Sequence, residues 1–149
     1  MTTEPVRERK TRIRPMEHED IADVLAIDRR ITGIRRAITY TDLITGDLGR
    51  LLDLSFVAEV NGHVAGFVLA RHSVGAFGEA GYLNILGVDP DYWQQGIGSK
   101  LIDALRERAR SKGLKTIRVM LNERDKKLQG FFQHVGFHRG QLIDYTLSP

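Results

Sequence analysis

The sequence contains no cysteine, and this absence excludes disulfide bridges, thiolate metal sites and cysteine nucleophiles. It also lacks an apolar run long enough to cross a membrane and begins with nothing typical of a signal peptide, so we expect a cytoplasmic protein without a membrane partner. An excess of one charge is missing too, since 22 lysines and arginines against 19 aspartates and glutamates leave a net charge of +3. The basic run at 7–14 therefore predicts a solvated tail rather than a nucleic-acid surface.

What remains is the composition of one ordinary globular domain. With 149 residues, of which 42% are hydrophobic, the chain can bury a core without crosslinks. We expect a flexible tail over residues 1–10 and a single domain over residues 11–149.

Local patterns predict an alternation of strands and helices. Strands are predicted at 11–14, 55–60, 63–70, 82–88, 116–121 and 142–147, and helices from 17 to a stop at Gly33, at 99–112 and at 126–134. Asn61-Gly62 predicts a hairpin turn, because both positions tolerate positive φ. Gly75, Gly78 and Gly81 predict a loop, and 39–54 mixes helical and loop signals. The whole predicts an α/β sheet of mixed strand direction with helices packed on it.

The most specific segment is residues 86–101, which predicts a strand, a stop at Asp89-Pro90, a glycine loop and the first turn of a helix. A helix N-terminus carries unpaired N–H groups and a partial positive charge, so such a loop can bind phosphate. The dinucleotide fingerprint is excluded because Leu101 stands where its third glycine belongs. The nucleotide P-loop is excluded because Gly98 precedes Ser99-Lys100 in the wrong order.

The string from Asn84 to Leu101 closely resembles the acetyl-CoA signature of the GNAT superfamily of N-acetyltransferases. Further likeness lies in 13–21, Asn122 and Gly136-Phe137. The resemblance implies a single-domain α/β (α+β) fold with a mixed, mostly antiparallel central sheet. That sheet is splayed at the cofactor strand and has helices on both faces. The implied activity is transfer of the acetyl group of acetyl-CoA to a primary amine by direct attack in a ternary complex.

The resemblance also implies which residues bind the cosubstrate. Leu86 and Val88 match positions whose backbone binds the pantetheine arm, and the Val88 amide is the implied oxyanion donor. Amides from about Gln95 to Ser99 are the implied diphosphate cradle, and no metal is implied. The full predicted cofactor set is Leu86, Gly87, Val88, Gln94, Gln95, Gly96, Ile97, Gly98, Ser99, Asp125 and Phe132.

Four positions depart from the family pattern. Trp93 stands where the loop usually begins with Gln or Arg, and Met120 stands where some relatives carry a glutamate base. Asp125 stands where some relatives carry an asparagine. Phe132 stands where many relatives carry a tyrosine that protonates the departing thiolate. Because a thiol has a pKa of about 8.5, a thiolate can leave without that acid. The sequence therefore still predicts an enzyme.

Tyr82 is the candidate catalytic side chain, at about the place where some relatives carry their base. It and Asn84 share strand parity with Leu86, which predicts that they face the same cleft. Tyr145, His134 and His138 are further candidates, each with an alternative role in packing or at the surface.

The amine substrate is a small molecule or a peptide, and the sequence does not identify it. Five residues of the segment that selects substrates in the family are Arg29, Arg30, Arg35, Arg36 and Tyr40. They fit either an anionic substrate or a solvated face. The alternative function is a catalytically weak or inactive CoA-binding sensor, and a homodimer stays open.

Overall fold

The computed structural model describes residues 10–33, 53–76 and 78–149. Its strands are β1 (Thr11–Pro15), β2 (Phe56–Val60), β3 (His63–Gly75), β4 (Gly78–Val88) and β5 (Ile117–Val119), and its helices are α1 (Ile21–Thr32), α2 (Ile97–Ser111) and α3 (Lys126–His134). The strands form one sheet in the order β1-β2-β3-β4-β5, antiparallel except for the parallel pair of β4 and β5. The predicted mixed, mostly antiparallel sheet is confirmed.

Helices lie on both faces of this sheet, as predicted. On the first face, Val24 and Ile27 of α1 pack against Val57, Phe67 and Leu69. On the second face, α2 and α3 pack against the alternate side chains of the same strands. That core includes Ala58, Val68, Ala70, Leu83, Ile97, Leu101, Leu105 and Phe132. We refer to these as the α1 face and the α2 face.

The end of β1 is tied to the start of α1 by a nearly buried carboxylate. Asp20 accepts hydrogen bonds from the Arg14 guanidinium at 2.7 and 2.8 Å and from the Glu17 amide at 2.8 Å. Burial by itself raises the pKa of Asp20, but the Arg14 and Glu17 hydrogen bonds outweigh it and hold that pKa below its usual range. Because the folded-state pKa is depressed, this contribution to stability is present at neutral pH and is lost as the pH falls below about 4.

Local sequence predicted one of two turns correctly and the other wrongly. The predicted hairpin at Asn61-Gly62 is confirmed, with φ of 52° and 84°. The predicted loop over Gly75–Gly81 is wrong, because Gly75 pairs with Gly78 at the end of a long β3–β4 hairpin. Gly81 lies inside β4, where it is paired with β3 on one side and β5 on the other. Strand pairing on both sides outweighs the local loop tendency of glycine.

The β4 strand separates from β5 half-way along its length. It pairs with β3 throughout, but with β5 only over Gly81–Leu83. The separation coincides with a β-bulge, since Ile85 pairs with Leu69 and Leu83 pairs with Ala70, which leaves Asn84 as an extra residue. The predicted splay of the sheet at this strand is thereby confirmed.

The C-terminal segment differs from its prediction. The predicted strand over 142–147 is wrong, because residues 140–149 have no regular secondary structure and are exposed. No strand of the described chain pairs with this segment. The tail 1–9 and residues 34–52, which contain Arg35, Arg36, Tyr40 and most of the 39–54 stretch, lie outside the described residues. Among the helices of the described ranges, none has the length and apolarity needed to span a membrane.

Candidate active site

The open edge of β4 presents the backbone groups of Leu86 and Val88, which pair with no neighbouring strand. The Asp89 amide donates to the Ala65 carbonyl at 2.8 Å, so this residue turns its backbone towards β3. In an antiparallel pair that orientation alternates, and Gly87 therefore also faces β3 while Leu86 and Val88 face away. Their N–H and C=O groups point to the side from which β5 has separated. An extended amide-bearing ligand can pair with them as an added strand would.

The carbonyl of Val88 is taken by a side chain from the following loop. The indole Nε1 of Trp93 donates to this carbonyl at 2.6 Å, although Trp93 is 54% exposed. Trp93 is the residue that replaces the usual Gln or Arg. Its indole occupies one of the backbone acceptors that the family resemblance predicts for the pantetheine arm.

Replacement of Trp93 by phenylalanine tests this competition. A protein hydrogen bond is worth about 0.5–1.5 kcal/mol net, so freeing the Val88 carbonyl is expected to tighten CoA binding by about 2- to 10-fold. Isothermal titration calorimetry measures the change, with the thermal midpoint as a check on folding. Weaker binding by Trp93→Phe contradicts this interpretation, because the indole then supports the ligand instead of competing with it.

The loop after β4 ends at an uncapped helix. Gln94 and Gly96 adopt left-handed φ of 63° and 76°, and Gly96 is the N-cap of α2 without a side-chain hydrogen bond to the helix. The first α2 hydrogen bond runs from the Lys100 amide to the Gly96 carbonyl at 3.1 Å. The preceding amides of 97–99 therefore have no acceptor within the helix. Together with the helix dipole, they fit the diphosphate of coenzyme A.

The glycines of this region are required for different reasons. A side chain at Gly96 meets nothing within 4 Å, so glycine is needed there for its backbone conformation alone. A Cβ at Gly98 lies 3.1 Å from the Phe131 ring of α3, and a Cβ at Gly87 lies 2.7 Å from the Phe67 ring. Both of these glycines thus have a packing reason. A cofactor role for Gly98 and Gly87 stays a prediction.

Asp89 holds the loop in place, and sequence reasoning missed this role. Its buried carboxylate accepts from the Asp91 amide at 3.0 Å and from the Arg30 guanidinium at 2.6 Å. Arg30 also binds the Asp91 carboxylate at 3.0 Å, which ties α1 to the loop. The Asp-Pro pair that starts a capped turn was the available signal. Arg30, expected in the substrate-selecting segment, is instead engaged by these two carboxylates.

Two predicted cofactor residues have structural roles of their own. Asp125 is the N-cap of α3, and its Oδ1 accepts from the Leu128 amide at 3.0 Å. Phe132 is 3% exposed and makes edge-on ring contacts with Phe131 and Phe137 at 5.3 and 5.1 Å between centroids. It has no proton to donate. Met120, at the position of the glutamate base, is 76% exposed.

The prediction that Tyr82 faces the same side as Leu86 is wrong, because the bulge at Asn84 reverses the strand parity. Leu83 packs into the α2-face core with Leu86, which puts Tyr82 on the α1 face. There it lies beside its β3 partner Arg71, whose guanidinium is 5.8 Å from the ring centroid. Tyr82 is thus next to the point where β4 and β5 separate, but on the opposite face of the sheet from Leu86.

Other polar groups near the bulge are few. The Asn84 Nδ2 atom is buried without a hydrogen-bond partner. His134, His138 and Tyr145, named above as further candidates, are exposed. Within ranges 10–33, 53–76 and 78–149, no group of three or more metal-binding side chains occurs.

Solved structures resemble this chain over nearly its whole length. The aminoglycoside N-acetyltransferase AAC(6')-Iy in complex with CoA has a TM-score of 0.79 and 18% identity, with 95% of this chain and 97% of that chain covered. AAC(6')-Ih from Acinetobacter baumannii has a TM-score of 0.76 and 15% identity, with 94% and 99% covered. The ribosomal-protein-S18-alanine N-acetyltransferase from Escherichia coli has a TM-score of 0.74 and 21% identity, with 89% and 80% covered.

The sequence also matches a family model. Residues 21–137 match the sequence model described as the acetyltransferase (GNAT) family, which is well over half of the chain. The match includes the open edge of β4, the loop and the uncapped start of α2. This chain therefore belongs to the acetyltransferase (GNAT) family.

Proposed function

We propose that this chain transfers the acetyl group of acetyl-CoA to a primary amine by direct attack in a ternary complex. The observation that carries the proposal is the continuity of the open β4 edge at Leu86 and Val88 with the uncapped N-terminus of α2. An amide-bearing arm that ends in a diphosphate matches these two features in the same order. The membership of the chain in an acetyltransferase family supports the same chemistry.

The proposed reaction balances without a covalent enzyme intermediate. The neutral amine attacks the thioester carbonyl carbon, a C–N bond forms, the C–S bond breaks, the sulfur takes the electron pair, and the nitrogen releases one proton to water. The Val88 amide, which points to the open side of β4, is proposed to donate to the oxyanion. Phe132 supplies no proton, so the thiolate takes its proton from water. At pH 7 this thiolate is disfavoured by only about 2 kcal/mol relative to its thiol.

The ability of the active site to remove a proton from the amine determines which amines react easily. Met120 cannot accept a proton, and the Tyr82 phenol can only relay one through water to or from the amine. An amine with a pKa of about 10.4 is neutral in about 1 of 2,500 molecules at pH 7, whereas an α-amino group with a pKa of about 7.7–8.0 is neutral in about one of ten. We therefore propose an acceptor whose amine has a low pKa, such as the α-amino group of a peptide.

An amine panel tests this proposal. Free CoA thiol is measured with a thiol reagent, to which the cysteine-free protein contributes no background. The panel contains a peptide with a free α-amino group, the same peptide with a blocked N-terminus and a free lysine, and an aminoglycoside. The α-amino peptide is expected to react fastest, with a rate that levels off above about pH 8. Preference for the lysine peptide contradicts the proposed acceptor class.

A second candidate is a CoA-binding sensor without catalysis. It is favoured by Phe132 and Met120, which stand where relatives carry their acid and base. CoA binding without turnover on every amine of the panel supports the sensor, and turnover well above the uncatalysed rate excludes it.

Replacement of Tyr82 by phenylalanine tests the proposed proton relay. We expect kcat to fall by about 10-fold, which is less than the usual 10²–10⁴ because water still relays some protons, while the Kd for CoA stays unchanged. The matched control is Tyr145→Phe, which removes a phenol that is 90% exposed. Equal activity of both variants rules out a role for the Tyr82 hydroxyl.

A further inference from the structure

Three side chains stand next to one another across the sheet on its α1 face. Arg71 of β3 is the register partner of Tyr82 of β4, and Tyr82 is the register partner of Arg118 of β5. Ile117 and Val119 pack into the α2-face core, which turns Arg118 to the α1 face. We refer to Arg71, Tyr82 and Arg118 as the arginine row. It lies where β4 and β5 still pair, directly beside the point at which they separate.

Both guanidinium groups of the row keep their charge without a carboxylate. In the part of the chain that the structure describes, neither Arg71 nor Arg118 forms an ion pair. The Arg71 guanidinium lies 5.8 Å from the centroid of the Tyr82 ring, a contact that does not cancel its charge. Arg118 is half-buried, and charges that are withdrawn from water are usually paired. The row therefore fits an anion that the described residues do not supply.

The gap between β4 and β5 is covered on the α2 face. There the Leu86 side chain, the start of α2 and the Phe131 ring of α3 meet, since a Cβ at Gly98 lies 3.9 Å from Leu86 Cδ2 and 3.1 Å from that ring. Phe132 of α3 is buried in the same core. We therefore expect an acceptor to reach a thioester in this gap from the α1 face.

On the α1 face, the described residues cover one end of this stretch of β4 and leave the other end accessible. Ile31 of α1 covers the end at Gly87, since its Cδ1 atom is 3.3 Å from a Cβ built there. The arginine row lies at the opposite end, where the gap closes, and Arg71 is exposed. An acceptor that enters from this face therefore meets the two guanidinium groups.

We propose that the acceptor is an acidic peptide, in which carboxylate side chains follow the reactive α-amino group and bind Arg71 and Arg118. This inference rests on the proposed function, which supplies an α-amino group as the acceptor. A planar guanidinium binds a carboxylate through two parallel N–H···O bonds and stays charged at every physiological pH. A nucleic acid also offers anions to the row, but it has no primary aliphatic amine that could accept an acetyl group.

Peptide binding in saturating CoA tests this inference without requiring turnover. Three fluorescent peptides share a free α-amino group and differ only at their second and third residues, which are two glutamates, two glutamines or two lysines. By fluorescence anisotropy, the glutamate peptide is expected to bind about 10-fold more tightly than the glutamine peptide, and the lysine peptide most weakly. Equal affinity for the glutamate and glutamine peptides overturns the proposal.

Variants of the row identify the contact. Arg71→Gln combined with Arg118→Gln is expected to remove the preference for glutamate, whereas Arg71→Glu combined with Arg118→Glu is expected to bind the lysine peptide best. The matched control is Lys10→Gln with Arg12→Gln, which removes the same charge from exposed residues at the β1 edge of the sheet. It is expected to keep the 10-fold preference. A preference for glutamate that survives in the double glutamine variant of the row contradicts the proposed contact.

Turnover of the same peptides separates this inference from the proposed function. Acetylation of the glutamate peptide with a lower KM than the glutamine peptide and a similar kcat supports both. Tight binding of the glutamate peptide without release of free CoA thiol supports the peptide site and overturns the proposed catalysis.

Discussion

Replacing Gly96 with tryptophan is expected to lower kcat/KM for acetyl-CoA by about 100-fold or more while the protein stays folded. Gly96 has a left-handed φ of 76° immediately before the unpaired amides of α2. A large side chain there strains the backbone and covers the surface to which the diphosphate binds. Hydrogen bonds to a charged group are worth about 1.5–3 kcal/mol each, so losing two of them accounts for the expected factor.

The matched control is Gly62→Trp at the β2–β3 turn. Gly62 also has a left-handed φ, of 84°, and is also open, with nothing within 4 Å of an added Cβ. Its substitution imposes a similar backbone strain far from the loop and is expected to leave kcat/KM unchanged. If Gly96→Trp retains normal kinetics while both variants fold, the diphosphate does not bind at the start of α2.

Replacing Gly87 with leucine is expected to destabilise the fold by about 3 kcal/mol or more, at the upper end for overpacked cores. A Cβ at Gly87 lies 2.7 Å from Cε1 and 2.8 Å from Cζ of Phe67, which is fully buried. The ring cannot move away, because it is packed beneath α1 with Val24 and Ile27. Urea denaturation gives the loss as a lower midpoint at an unchanged slope.

Two comparisons isolate the clash. Gly75→Leu adds the same side chain to a strand glycine with nothing within 4 Å, and it is expected to cost less than about 1 kcal/mol. Phe67→Ala costs stability by itself, but in combination with Gly87→Leu it makes room for the new side chain. The double variant should therefore lose less stability than the sum of the losses of the two single variants. Strictly additive losses contradict a direct contact between the two positions.

The parts of the fold that local chemistry determines were predictable from the sequence. The Asn61-Gly62 turn followed from the tolerance of both residues for positive φ. The α3 helix was predicted with its observed bounds, and α2 to within two residues. The string from Asn84 to Leu101 predicted the acetyltransferase family, which the family match confirms.

The parts that depend on tertiary pairing were not predictable. The bulge at Asn84 has no local signal, yet it reverses the parity on which the expected orientation of Tyr82 rested. Gly98 looked like a glycine for ligand approach, but the adjacent Phe131 ring gives it a packing role that only the contact between α2 and α3 reveals. The C-terminal segment has strand composition without a strand partner among the described residues, and composition alone does not determine whether a segment pairs with a sheet edge.

Amide NMR of the ¹⁵N-labelled protein titrated with CoA shows whether acetyl-CoA binds along the open edge of β4 and the start of α2. The amides of Leu86, Val88, Gly98 and Ser99 are expected to shift strongly and to gain protection from hydrogen exchange. The amides of Ile85 and Gly87, already paired with β3, should keep their protection unchanged. Saturable binding that leaves the first four amides unaffected would contradict the account.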